Sequence, residues 1–219
     1  MASAICAAMA AAQDAAVIVL TGADPAFCAG LDLRDLGVGD LGQLDPFVAS
    51  VADSAVPVIA AVNGPAVTGG FEVALACDFM VASERAAFAD THLRVGVYPG
   101  PVAVDLPRRV GMARARELSL TGNFVDAATA LRIGLVNHVV PHDELLPFTL
   151  ELARAVAEQD PAMVRALRGD WHESGGLPLA EARRVHAEHA ARAAGSAAAA
   201  DLASHRAAVL ARSRAQRGT

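Results

Sequence analysis

The 219-residue chain contains no lysine: all 18 of its basic residues are arginine, set against 24 acidic residues for a formal net charge of −6. No basic stripe accompanies that balance, which argues against nucleic acid or an anionic membrane surface as a partner. Arg108–Arg109 and Arg183–Arg184 are local exceptions, and such pairs ordinarily lie on solvated helix faces. Aromatic residues make up only 4% of the chain, so alanine and other small side chains must do much of the packing, which favours closely packed helices. Cysteine is scarce too. Cys6, Cys28 and Cys77 are odd in number, widely spaced and form no CxxC, which speaks against a disulfide or zinc framework and for a reducing cytoplasm. No apolar run reaches the roughly 18 residues of a membrane span. The apolar start MASAICAAMAAAQDAAVIVL lacks the basic n-region of a secretory signal and is interrupted by Asp14. What is present, 54% hydrophobic and 19% charged residues, suits a soluble globular protein with a well-buried core.

Along the chain, alanine-rich residues 3–13 read as a helix, and the short apolar run 16–22, ending in a turn signal, reads as a buried strand. A loop, ADPAFCAGLDL, follows, then a helix within 44–54 and a second buried strand, PVIAAVNG, over 57–64. GGFEVALACD (69–78) has helical apolar spacing and is entered through two glycines. Residues 79–83 and 85–90 are expected strands, 112–121 and 126–133 helices, and 135–140 a strand stopped by Pro141. Beyond His142 the pattern is helical: Leu145, Phe148, Leu152 and Val156 share one apolar face, as do Leu202, Val209 and Leu210. The expected organisation is a core over 1–158 and a C-terminal helical oligomerisation region over 159–219.

Two segments share one design, a glycine-containing loop directly after a buried strand: AVIVLTG leads to FCAGLDL, and PVIAAVNG leads to AVTGG. Ligands commonly bind at the strand ends of a sheet, and glycine lets them approach main-chain N–H groups. In the second segment the glycines also open a helix, whose first N–H groups lack partners and favour negative charge. An enolate or tetrahedral oxyanion is what such donors stabilise best. Taken alone, the Gly-Gly pair is equally explained by close helix–strand packing.

In combination, NGPAVTGGFEVALACDF, preceded by PAFCAGLDL and followed by FADTHLRVGVYPG and GLVNHVVP, resembles the crotonase superfamily, the enoyl-CoA hydratases, isomerases and their relatives. The ordered match runs from about Ala16 to Val140. The resemblance implies an α/β fold, a crotonase-like spiral of ββα units with C-terminal helices that pack in a homotrimer or a dimer of trimers. It places the two oxyanion donors on the backbone N–H groups of Leu31 and Gly69. Ala29, Gly30, Asp32 and Leu33 would line the coenzyme A groove, and Ala66, Val67, Thr68 and Gly70 would flank the pantetheine arm or acyl group. No cofactor is implied beyond the coenzyme A that forms part of the substrate, and no metal.

Glu72 matches the first of two carboxylates that hydratases of this family use on water and on the α-carbon proton. At the position of the second stands His92. Histidine can serve in acid–base work, with a reference pKa nearer neutrality than that of glutamate; its bland alternative is a pocket-filling role. Asp90, two residues earlier, would share a strand face with His92 as a substitute carboxylate. The chain also departs from the family after its PG, where PGPVAVDLPRRVG is one residue short of the usual glycine-rich stretch, and it starts at the helix that a strand pair ordinarily precedes. The implied activity is hydration of a 2-enoyl-CoA to a 3-hydroxyacyl-CoA. An enoyl-CoA isomerase or another acyl-CoA lyase or hydrolase, and a non-catalytic acyl-CoA-binding subunit, are the alternatives.

Overall fold

The protein is described from a computed structural model over residues 2–30, 45–196, 206 and 209–214. It divides into two compact units, Met1–Pro161 and Ala162–Thr219. In the first, β1 (Ile18–Thr21), β2 (Val58–Val62), β4 (Phe79–Ser83) and β7 (His138–Val140) form a wholly parallel sheet in the order β1-β2-β4-β7. A smaller sheet joins β3 (Ala66–Val67), β5 (Ala87–Ala89) and β6 (Val125–Asp126), with β3 parallel and β6 antiparallel to β5.

The chain repeats a simple path. It lays a strand in the large sheet, then one in the small sheet, then a helix: β2, β3 and α3 (Gly69–Ala76), then β4, β5 and α4 (Val102–Val110). The β1 turn of the spiral does the same in miniature, since Cys28 makes an isolated parallel bridge to Ala66 before α2 (Asp45–Ala52). This is the ββα spiral expected of a crotonase fold. The short β3 within AVTGG, read from the sequence as loop, is what makes the repeat.

Strand β2 explains why a run without polar alternation is stable here. All five of its residues are buried. Val58, Ala60 and Val62 face the main core with Met80 and Ala82, while Ile59 and Ala61 face a second cluster with Val81, Leu145 and Ala153. The helix α7 (Leu145–Ala157) covers that second face, so the parallel strands are apolar on both sides. Each fully buried Val, Ile or Met contributes roughly 1.5–3 kcal/mol of transfer free energy. On the main-core side α1 (Ala2–Ala11), α2, α3 and α4 pack in series, and α5 (Met112–Thr121) follows against α4. Asp126, placed by the sequence inside a helix, instead ends β6 and caps α6 (Ala127–Arg132), its side chain accepting the Thr129 N–H at 2.7 Å.

The second unit holds α8 (Pro161–Ser174) from its second residue on and α9 (Leu179–Ser196), joined by Asp170–His186 at 2.5 Å and Glu173–His189 at 3.0 Å.

Candidate active site

The two glycine loops lie against each other. Phe27 and Cys28 donate their N–H groups to Pro65 O at 3.1 Å, and Val67 donates to Cys28 O at 2.9 Å. The approach is so close that a Cβ on Gly70 would stand 2.1 Å from Cys28 O, inside any tolerable contact, and Gly30 adopts a left-handed φ of 88° beside Val67. Ala29 and Gly30 are therefore neighbours of Ala66, Val67, Thr68 and Gly70. Leu31, Asp32 and Leu33 lie outside the described residues, as does Leu202 of the C-terminal apolar face.

The first loop is tied down from below by a network the sequence did not suggest. Asn63 accepts the Gly22 N–H at 3.1 Å and donates to Asp24 Oδ1 at 2.8 Å, while His142 meets Asp24 Oδ2 at 3.2 Å and Ser83 Oγ at 3.1 Å. The bonds from Asn63 and then His142 hold the Asp24 carboxyl below its ordinary range.

At the second loop, Thr68 has a φ of 54°, the only left-handed non-glycine backbone among the described residues. Its hydroxyl, which would ordinarily cap α3, is turned away to the Thr91 hydroxyl at 2.5 Å, and it makes no cap bond. The N–H of Gly69, the first of the helix, has no partner among the described residues at the electropositive start of a buried helix. One turn on, buried Glu72 points at the start of α4, where its Oε1 accepts the Val102 N–H at 3.3 Å, and a Cβ on Gly100 would stand 2.8 Å from the same oxygen. The short PGPV stretch thus delivers a helix N-terminus to the carboxylate, which favours negative charge there.

The strand expected over 85–90 ends at Ala89. Its ladder partners stop at Val67 on β3 and Val125 on β6, so nothing among the described residues continues the ladder. The chain turns instead into a 3₁₀ segment at His92–Val95. Asp90 and His92 do not share a strand face; they meet across this turn, with Nδ1 of His92 2.7 Å from Asp90 Oδ1 and both residues buried. Burial, the largest influence on Asp90, raises its pKa. The His92 bond, and a Ser119 hydroxyl that approaches without meeting hydrogen-bond geometry, outweigh it and hold the carboxyl below its ordinary range. Thr91 sits between the two, so its bond to Thr68, with that of Thr68 N–H to Ala89 O at 2.9 Å, ties this turn to the entrance of α3.

A buried helix start, a carboxylate one turn along it and a carboxylate-bound histidine in a neighbouring turn are groups of the kind that oxyanion and acid–base chemistry uses. The family model for enoyl-CoA hydratase/isomerase matches residues 3–197. The chain belongs to that family, within the crotonase superfamily. It is 38% identical over 180 residues to "Probable enoyl-CoA hydratase 1, peroxisomal" of Arabidopsis thaliana, covering 80% of this chain and 68% of the relative. A "Probable enoyl-CoA hydratase" of Rhizobium meliloti is 40% identical over 173 residues, 76% of this chain and 67% of its own. Among solved structures, an enoyl-CoA hydratase subunit of Geobacillus kaustophilus superposes with a TM-score of 0.85 at 33% identity, over 96% of this chain and 84% of that one. Among the described residues no group of His, Cys, Asp or Glu is arranged to hold a metal ion, and no helix is long and apolar enough to cross a membrane.

Proposed function

We propose that this member of the family hydrates 2-enoyl-CoA thioesters to 3-hydroxyacyl-CoA. The observation that carries the reading is the Gly69 N–H at the start of α3, without a partner among the described residues, with Glu72 one helical turn beyond it. Gly69, together with the backbone N–H of Leu31, holds the thioester oxygen. Ala29, Gly30, Asp32 and Leu33 line the coenzyme A groove, and Ala66, Val67, Thr68 and Gly70 flank the pantetheine arm or acyl group. Glu72 takes a proton from water as the water oxygen attacks the β-carbon. The double-bond electrons move to the thioester oxygen as an enolate, and His92 delivers a proton to the α-carbon. Transfer of the Glu72 proton to His92 restores the starting state, so the net change is one water added. No group outside the chain and its substrate is needed.

The test is loss of the conjugated-thioester absorbance on addition of the protein to crotonyl-CoA, with product identification by mass spectrometry. Wild type no faster than Glu72→Gln would sink the role given to Glu72.

We also propose assembly as a homotrimer or a dimer of trimers in the cytoplasm. Exposed Tyr98 (88%), Leu120 (71%) and Phe124 (58%) in the first unit support the assembly, and three unpaired thiols, Cys6, Cys28 and Cys77, support the compartment. Sedimentation velocity showing only monomer at micromolar concentration would overturn the assembly.

A further inference from the structure

The Asp90–His92 pair does more than end a strand. Asp90 Oδ1 meets both His92 Nδ1, at 2.7 Å, and the His92 backbone N–H, at 3.4 Å, and Asp90 is only 1% exposed. Its second oxygen, Oδ2, is buried with no hydrogen-bond partner among the described residues. On the ring, Nδ1 is occupied by Asp90, while Nε2 makes no hydrogen bond among the described residues.

We infer that Asp90 is a positioning residue for the acid–base step: it fixes the His92 ring and its Nδ1–H tautomer, leaving Nε2 to exchange the proton. The inference rests on the reading of His92 as proton donor to the α-carbon. Charge points the same way. Two carboxylates facing one water hold a single proton between them, a net charge of about −1. Glu72 with an imidazolium alone would sum to zero, and the Asp90 carboxylate restores the missing negative charge without occupying substrate space. A histidine can therefore stand where the resemblance places a carboxylate because its counter-charge stands two residues upstream in the same turn.

A purely structural Asp90 would cap the 3₁₀ turn and nothing else. Asparagine satisfies such turns as well as aspartate does, so Asp90→Asn keeps the cap while removing the charge and the fixed acceptor. Two measurements decide the matter. Nitrogen-15 spectra of the seven histidines, with His92 assigned by its absence in His92→Gln, are expected to show protonated Nδ1 and bare Nε2 in the neutral ring of wild type, and loss of that single tautomer in Asp90→Asn. Crotonyl-CoA kinetics of Asp90→Asn, measured well below the Tm of the variant, are expected to show kcat reduced about 10²-fold or more, as for other carboxylate-oriented histidines, and KM within about threefold of wild type. A neutral wild-type ring with its proton on Nε2 overturns the inference. So does a normal kcat in Asp90→Asn when His92→Gln is inactive, a result that leaves the acid role of His92 standing. Full activity of His92→Gln overturns both.

Discussion

Glu72 and His92, the two groups proposed for the acid–base step, are held by opposite means. Glu72 rides on a helix in which seven of eight residues are buried, and its carboxylate meets the first N–H of a second helix thirty residues away. His92 sits just past the end of a three-residue strand, in a one-turn 3₁₀ segment, and its ring is oriented by one neighbouring side chain. A helix-borne group inherits its position from backbone hydrogen bonds and packing that no single side chain controls. A turn-borne group depends on the partner it brings with it. The first should resist changes near it unless they strike the carboxylate directly, and the second should yield to one isosteric exchange.

That contrast can be broken in order of effect. Glu72→Gln preserves shape and removes the base, and is expected to lower kcat by about 10²–10⁴-fold, the usual contribution of general acid–base catalysis, in the crotonyl-CoA assay. Gly100→Ala is the sharper probe of the helix-held half. Its new methyl would stand 2.8 Å from Glu72 Oε1, and displacing a catalytic group by about 1 Å can cost up to 10²-fold. The expected result is a lowered kcat at a Tm near wild type, and an unchanged kcat would show that Glu72 shifts without consequence.

Asn63→Ala tests the support beneath the first glycine loop. It strips the half-buried Gly22 N–H and the Asp24 carboxylate of their partner, at about 0.5–1.5 kcal/mol for a hydrogen bond lost, read as a drop in the midpoint of urea unfolding. Smallest is the acid response of the turn-held half. Asp90 is held below the 3.8 of an unperturbed aspartate. Its contribution to stability is complete above about pH 4 and is lost as pH falls through the lowered folded-state value. The Tm advantage of wild type over Asp90→Asn should therefore shrink on acidification below about pH 4, and a constant difference would mean the charge of Asp90 does not stabilise the fold.

Much of the scaffold was legible because its causes are local. The apolar run of PVIAAVNG and the glycine entrance to GGFEVALACD each carry their structural reason within a few residues. The same holds for the adjacency of the two glycine loops, once both are seen to follow parallel strands. The strand expected over 85–90 was read one residue too long at its C-terminal end because alternation within FADTH suits a strand. Only the ends of β3 and β6, set elsewhere in the chain, decide that the ladder stops at Ala89.

The sequence by itself determined the buried apolar strands through their hydrophobic runs, and the resemblance of its ordered motifs to the crotonase superfamily named Gly69, Glu72 and His92 as candidates. Tertiary structure alone decided what each of these meets. The Thr68 hydroxyl leaves its own helix for Thr91, Glu72 finds Val102, and Asn63 and His142 converge on Asp24 across separations of up to 118 residues. Such contacts arise from how the spiral closes on itself, and a hydrogen bond of a few ångströms between distant segments leaves no period in the sequence from which to read it.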